Sequence, residues 1–252
     1  IALCILVLIS LLDDFIELRA STRLFAQTCS SSFALYWLIP EGQANILLPI
    51  LILVSIWATN LFNFMDGANG LAGGMALIGF AWLALFSWGS APDIALLCLT
   101  LSAASGGFLC LNFGSGKIFM GDSGSTLLGL MMALLSITGW LRHIWPAWLP
   151  IMVFSPFIVD ASLTLLKRML AKERFWEAHR EHYYQRLIRS GWTHNKLALS
   201  EYGLMLLCGA LAMIAKTQNN LLVITTWLAL LVIYRIIIHL IDRRWTHFVA
   251  NH

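Results

Sequence analysis

The sequence predicts an all-α membrane protein, a polytopic bundle of transmembrane helices, on three observations. Hydrophobic residues make up 59% of the 252 residues, and the mean hydropathy is +0.78. Charged residues make up 12%, roughly half the fraction usual in soluble domains. Apolar runs near ~20 residues, the length that crosses a bilayer as a helix, recur along the whole chain. The small net charge of +3 gives no sign of nucleic-acid binding.

The apolar segments set the expected helices. A half helix, 1–12, comes first, because this run is too short to span a bilayer. About eight full spans follow, at 22–40, 45–62, 71–89, 93–113, 123–141, 145–166, 198–215 and 220–241. No Met precedes the first segment and it lacks the basic start of a signal peptide, so we expect an N-terminally truncated chain. We expect one integral membrane domain over 1–252, with a single long polar loop at 167–197.

The positive charges give this bundle an orientation. If the spans alternate, all but three of the 16 Lys and Arg residues fall on one side of the membrane. The exceptions are Arg142, Lys216 and Arg235. The positive-inside rule makes the charged side cytoplasmic. Every polar cluster described below falls on that same side, which predicts one composite site at the cytoplasmic membrane face.

The stretch 60–74, NLFNFMDGANGLAGG, separates two apolar segments. Asn60, Asn63 and Asp66 are spaced three apart, which places them on one face of a helix. Glycines follow at once and let backbone N–H groups approach anionic oxygens. This pattern predicts a site for a metal ion and a phosphorylated ligand, and the alternative is a polar loop with small residues for helix packing.

Two further clusters carry carboxylates on the same side. Asp13 and Asp14 end the first apolar segment, where they would act as a base or organise a metal, or simply solvate a helix end. Arg23 could bind a phosphate or snorkel to the interface. Asp122, in the motif FMGDSGS, stands at the start of an apolar helix. It could be a metal ligand of the hard-oxygen type that suits Mg²⁺, or it could cap the helix.

The loop 167–197 adds a dense set of Arg and His residues. Arg180, His182 and Arg186 are the residue types that bind a pyrophosphate, although a positive-inside loop with aromatic interface anchors explains most of the same composition. A zinc site from His179 and His182 is a weaker alternative, because no Cys lies nearby. Asp160, inside an apolar segment, is expected to support the site or the fold.

Together these motifs resemble the polyprenyl-phosphate N-acetylhexosamine-1-phosphate transferases, closest to the enzymes that initiate O-antigen synthesis. The resemblance runs nearly end to end. It rests on the Asp pair with its downstream Arg, on NxxNxxDGxxGLxxG over 60–74, on FMGDSGS over 119–125, on Asp160 and on the histidine-containing loop.

The resemblance implies a reaction and its partners. A lipid phosphate, undecaprenyl phosphate, attacks a UDP-N-acetylhexosamine in the bacterial inner membrane, with Mg²⁺ or Mn²⁺ as cofactor, and UMP leaves on the cytoplasmic side. A homodimer is one expected assembly. The implied residues have four roles. Asp122 and Asn63 bind the metal; Asp13, Asp14 and Asp66 act in catalysis; Gly67, Asn69 and Phe119 form the uracil pocket; Arg23, Asn60, Arg180, His182 and Arg186 contact substrate.

Two departures from the family pattern bear on the donor sugar. Asn69 stands where many relatives have a second Asp, which argues against another catalytic carboxylate there. The loop reads His182-Tyr183-Tyr184 where relatives often carry several His. GlcNAc, FucNAc and QuiNAc derivatives therefore stay open, as does phospho-MurNAc-pentapeptide transfer in peptidoglycan synthesis. A secondary transporter is a more distant alternative, because no internal repeat is visible. A scaffold subunit would leave the carboxylates of Asp13, Asp14, Asp66 and Asp122 unexplained.

Overall fold

A computed structural model describes residues 2–16, 18–39, 44–114, 116–173, 180–216 and 220–251. This part of the chain forms helices and contains no strand. The helices, in chain order, are α1 (Ala2–Ile16), α2 (Ala20–Leu38), α3 (Ala44–Met65), α4 (Leu71–Ser87), α5 (Pro92–Asn112), α6 (Gly121–Leu141), α7 (Trp148–Val153), α8 (Ser155–Leu170), α9 (Tyr183–Arg189), α10 (His194–Lys216) and α11 (Asn220–Ala250).

Five of these helices, α3, α5, α6, α10 and α11, are long and apolar enough to cross a membrane. At 17 residues α4 is only slightly shorter, and it is almost wholly buried. The prediction of an all-α polytopic membrane protein is confirmed. Several predicted bounds shift, as described next.

The predicted span 145–166 is wrong as one continuous helix, because the chain breaks at Phe154 between α7 and α8. Pro156 has no N–H to donate to the carbonyl of Met152, its usual helical partner. The hydroxyl of Ser155 donates to that carbonyl at 2.7 Å instead. The same hydroxyl lies 2.5 Å from the Tyr234 hydroxyl, which ties the break to α11.

The loop 167–197 is more helical than predicted. The helix α8 runs to Leu170, α9 forms inside the loop, and α10 begins at His194 rather than near 198. The last helix continues to Ala250, well past the predicted 241. Its extension carries Asp242, which forms ion pairs with Lys167 at 3.3 Å and Arg186 at 3.1 Å.

One glycine sets the register of the two helices that carry the site. Gly129 of α6 lies against the backbone of α3, so close that a Cβ would stand 2.6 Å from the Cα of Thr59. These helices run antiparallel, so one turn further toward the site Asn63 faces Ser125, and their side chains are 3.2 Å apart. The close approach of α3 and α6 therefore positions Asn63 against the start of α6.

Candidate active site

The acidic residues of α1 and α6 meet at one end of the bundle. One guanidinium nitrogen of Arg23 lies 3.1 Å from a carboxylate oxygen of Asp122 and 3.4 Å from one of Asp13. Asp13 is buried and also accepts the N–H of Leu18 at 2.6 Å. The predicted convergence of Asp13, Arg23 and Asp122 is therefore present in the fold, across more than a hundred residues of sequence.

Asp14 has a clear structural task. Its carboxylate accepts the N–H of Asp122 at 2.8 Å and that of Ser123 at 3.3 Å. These are among the first N–H groups of α6, which have no partner within their own helix. The N-terminal capping group is therefore Asp14 from α1, and neither Asp122 nor Ser123 caps its own helix. This frees the Asp122 carboxylate to face the cluster.

The amides of α3 extend the cluster. Asn63 donates its side-chain N–H to Asp122 at 2.7 Å. One turn earlier, Asn60 donates to the side-chain oxygen of Gln27 at 2.9 Å and to the carbonyl of Ile56 at 2.8 Å. Asn63 is thus part of the acidic cluster, whereas Asn60 links α3 to α2 beside it. Gln27 was missed by the sequence analysis because a single amide in an apolar segment has no distinguishing pattern.

A cavity of about 410 Å³ leads from the membrane helices to this cluster. Its inner part is lined by apolar side chains, including Leu6, Leu53 and Trp57. Its other end is lined by Asp13, Arg23, Asn63 and Asp122 among the polar residues. The cavity therefore joins an apolar surface within the helices to a charged site at their ends.

Asp66 lies just after the last residue of α3. Burial, together with the negative charges of Asp122 and Asp14, raises its pKa to about 7. A carboxyl group with this pKa changes charge near neutral pH, and it would ionise more easily beside a cation.

The glycine-rich turn after Asp66 is held by three residues of two other helices. The N–H of Asn69 donates to Nδ1 of His194 at 3.0 Å, at the start of α10. The N–H of Gly70 donates to Asn112 at 2.6 Å, and its carbonyl accepts the Tyr202 hydroxyl. Gly70 itself has φ +83°, a left-handed conformation that favours glycine. The turn is therefore fixed by α5 and α10, which the sequence did not reveal.

Tyr184 of α9 closes the other side of this turn. Its hydroxyl donates to the carbonyl of Phe64 at 2.9 Å, and a Cβ on Gly67 would stand 2.1 Å from that hydroxyl. Burial raises the pKa of the Tyr184 phenol, which keeps it a donor. The space against Gly67 is thus filled by Tyr184.

Asp160 supports the site by capping α9. Its two carboxylate oxygens accept the N–H groups of Tyr183 and Tyr184, each at 2.9 Å. His182, just before α9, is buried, with Nδ1 3.3 Å from Asp160 and its ring beside that of Phe64. The supporting role predicted for Asp160 therefore has a physical basis, and His182 lies within this packing at the end of α3.

Three predicted substrate contacts make no hydrogen bond or ion pair with the acidic cluster among the described residues. Arg186 forms an ion pair with Asp242 and lies over the Tyr183 ring. Arg180 is exposed, and its carbonyl accepts a hydrogen bond from Arg189. Phe119 is 78% exposed in the segment before α6, while the Asn69 side chain packs against Gly116 of that segment. Their roles stay predictions, and His179 of the zinc alternative lies outside the described residues.

The side chains of the cluster suit a hard divalent cation. Asp13, Asp14, Asp66, Asn63 and Asp122 offer only oxygen ligands, the type that Mg²⁺ prefers. Within the described ranges, no three His, Cys, Asp or Glu side chains form a ready metal site. A cation bound here would therefore take further ligands from phosphate and water.

Comparison with known proteins identifies the family. Residues 1–140, which include α1 to α6 and the whole acidic cluster, match the family described as "Glycosyl transferase family 4". The chain belongs to glycosyl transferase family 4. This assignment agrees with the resemblance seen in the motifs.

Three similar proteins illustrate the relatives of this chain. The "Probable undecaprenyl-phosphate N-acetylglucosaminyl 1-phosphate transferase" of Bacillus subtilis is 31% identical over 193 residues, 75% of this chain and 52% of that protein. The "Decaprenyl-phosphate N-acetylglucosaminephosphotransferase" of Mycobacterium tuberculosis H37Rv is 32% identical over 232 residues, which cover 77% of this chain and 57% of that protein. The "Phospho-N-acetylmuramoyl-pentapeptide-transferase" of Thermosynechococcus vestitus is 28% identical over 191 residues, 71% and 47%. The chain thus spans about half the length of the curated relatives it matches.

Proposed function

We propose that this family 4 protein transfers an N-acetylhexosamine 1-phosphate from a UDP-sugar to undecaprenyl phosphate. An oxygen of the lipid phosphate attacks the β-phosphorus of the UDP-sugar. The bond between that phosphorus and the bridging oxygen breaks, and UMP leaves with the bridging oxygen. The product is a lipid-linked diphosphate that carries the sugar.

The cavity described above is the observation that carries this proposal. A polyprenyl phosphate has an apolar chain that belongs in the membrane and a charged head that belongs at its surface. The apolar walls near Leu6, Leu53 and Trp57 suit the chain, and Arg23 at the other end suits the phosphate.

Each residue of the acidic cluster has a proposed role that follows from its position. Arg23 would move from the two carboxylates to a phosphate oxygen. Asp13, buried beside it, would deprotonate or organise the lipid phosphate. Asp14 holds the start of α6 and so orients Asp122, which makes it a positioning residue. Asp66 and the turn at Asn69 would bind the nucleotide diphosphate.

Mg²⁺ is the proposed cofactor, held by Asp122 with Asn63 beside it. A bound divalent cation neutralises charge on a diphosphate and stabilises the leaving phosphate. Asn63 would bind through its amide oxygen, because its amide nitrogen faces Asp122. The excess of Lys and Arg at this end of the bundle supports a site at the cytoplasmic face of a bacterial inner membrane.

GlcNAc is the proposed donor sugar, because the similar proteins of Bacillus subtilis and Mycobacterium tuberculosis are named as transferases of N-acetylglucosamine phosphate. The proposed pathway role is initiation of O-antigen or a related surface glycan. The similarity to a phospho-N-acetylmuramoyl-pentapeptide-transferase supports a second candidate, in which UDP-MurNAc-pentapeptide is the donor. The two candidates share the acidic cluster and differ in the donor.

The deciding experiment is UMP release by the full natural chain in detergent, with undecaprenyl phosphate and Mg²⁺. UDP-GlcNAc, its FucNAc and QuiNAc analogues and UDP-MurNAc-pentapeptide are supplied separately, each with an EDTA control. We expect UMP from UDP-GlcNAc and loss of release with EDTA. Release only from the pentapeptide donor would select the second candidate. Transport of a donor without UMP release would overturn both.

A matched pair of variants locates the activity. Asp122→Asn removes one charge at the cluster and should lower kcat by about 100-fold or more. Asp93→Asn removes one charge at the opposite end, where Asp93 pairs with Arg142 at 2.6 Å, and should retain turnover. Equal turnover in both variants would remove Asp122 from the reaction.

A further inference from the structure

A second cavity lies away from the acidic cluster, between α10 and α11. We call it the α10–α11 groove, and its volume is about 610 Å³. Its walls are mostly apolar and include Leu204, Leu207, Ile237 and Leu240. Two charged residues, Glu201 and Arg244, also line it. Both helices are candidate membrane spans, so the apolar walls of this groove lie along membrane-spanning helices.

Glu201 has an unusual position for a carboxylate. It lies seven residues into α10, about 10 Å along the helix from its start. Its carboxylate makes no hydrogen bond and no ion pair with the described residues. A carboxylate inside a membrane span usually has a cationic partner, and the described residues do not supply one.

Arg244 supplies the opposite charge without neutralising Glu201. Its Nε donates to the Ser190 hydroxyl at 2.9 Å, and one Nη donates to the Ser190 carbonyl at 2.5 Å. These bonds fix the guanidinium, and its other Nη has no hydrogen-bond partner among the described residues. Trp192, which also lines the groove, has Lys196 over its ring.

We propose that the α10–α11 groove binds a zwitterionic phospholipid with a primary ammonium headgroup, such as phosphatidylethanolamine. The ammonium donates to Glu201, the phosphate accepts from Arg244, and the acyl chains lie along Leu204, Leu207 and Leu240. Each part of the lipid thus meets a surface of matching chemistry. This binding is separate from the acidic cluster and from the proposed transfer reaction.

Other occupants match the groove less well. A polyprenyl phosphate or phosphatidylglycerol would satisfy Arg244 but would place no cation on Glu201. Phosphatidylcholine carries the same charges, yet its quaternary ammonium has no N–H to donate. A lipid with a primary ammonium satisfies both charged residues.

The test is competitive lipid binding by native mass spectrometry on the full natural chain. Phosphatidylethanolamine, its N,N-dimethyl derivative, phosphatidylcholine and phosphatidylglycerol with identical acyl chains are added at equal concentration. We expect retention of phosphatidylethanolamine about ten-fold over phosphatidylcholine, with the dimethyl lipid between them, since it keeps one N–H. Equal retention of phosphatidylethanolamine and phosphatidylcholine would overturn the proposal, whatever the enzyme's activity.

Variants assign the preference to the groove. Glu201→Gln should lower phosphatidylethanolamine to the level of phosphatidylcholine, and Arg244→Gln should lower both. Asp93→Asn, at the opposite end, should leave the preference unchanged. A preference that survives Glu201→Gln in a monodisperse protein would refute the assignment. The comparison of lipids on the unmodified chain decides the matter even if a variant fails to fold.

Discussion

Replacing Gly129 by Ala should separate α3 from α6 and disturb the site two turns away. The new Cβ would stand 2.6 Å from the Cα of Thr59 and 2.7 Å from the carbonyl oxygen of Ala58. Both contacts are to backbone, so no side-chain rotation relieves them. Carbon atoms pack comfortably at about 3.5 Å, so the helices must move apart by about 1 Å.

Two opposing contributions to the free energy of unfolding, overpacking and helix propensity, set the effect of Gly129→Ala. Overpacking of this kind destabilises a protein by about 1–3 kcal/mol. Ala is favoured over Gly in a helix by up to about 1 kcal/mol, which offsets part of the loss. The net loss of about 1–2 kcal/mol corresponds to a fall in Tm of about 2–8 °C for a domain of this size. The 2.7 Å bond from Asn63 to Asp122 would also lengthen toward a distance that is no longer a hydrogen bond.

The assay is thermal unfolding of the purified protein in one detergent, beside UMP release. Gly107→Ala in α5 is the matched control, because a Cβ there meets nothing within 4 Å. We expect the control to melt at the original temperature or slightly above it, with full turnover. Equal Tm values for Gly129→Ala and Gly107→Ala would refute the view that Gly129 sets the spacing of α3 and α6.

Three further predictions concern the site. His194→Ala removes the acceptor of the Asn69 N–H and should raise the KM for the UDP-sugar about five-fold, the effect of one neutral hydrogen bond. His194→Asn should restore the original KM. An unchanged KM in His194→Ala would exclude a role of His194 in holding the turn for the UDP-sugar. The pKa of Asp66 is raised to about 7 in the fold, so without divalent cations its contribution to stability should be complete below pH 4, fall as the pH rises to about 7 and then level off. Asp66→Asn should flatten that part of the plot of Tm against pH. A plot identical to that of the unmodified protein would contradict this prediction. Arg23→Gln removes the guanidinium that Asp13 and Asp122 share and should lower Tm in EDTA. Adding Mg²⁺ should then raise the Tm of the variant more than that of the unmodified protein. An equal rise in Tm would contradict the view that Arg23 neutralises both carboxylates.

The sequence predicts most of the helices because hydrophobic runs report burial in a membrane directly. It also predicts which polar residues converge, since Asp13, Arg23, Asn63 and Asp122 all lie where spans end on the same side. Alternation of the spans turns that placement into proximity. The structure adds distances to a grouping that topology already implied.

The missed features depend on contacts between distant elements. The break at Phe154 follows from Ser155 and Pro156 acting with Tyr234, and hydropathy alone does not register it. The clamp on the glycine turn uses His194 and Asn112, which are single polar residues at helix ends. Such residues are common, so only the fold distinguishes the ones that contact the turn.

The arrangement of charges suggests how the site changes when substrate arrives. Arg23 lies between Asp13 and Asp122 and neutralises part of their charge. A phosphate that bound Arg23 would remove this neutralisation and bring its own negative charge. Asp122 and Asn63 would hold a divalent cation, whose charge would compensate both. The binding of phosphate and of metal should therefore be coupled through Arg23, because each relieves the charge that the other leaves exposed.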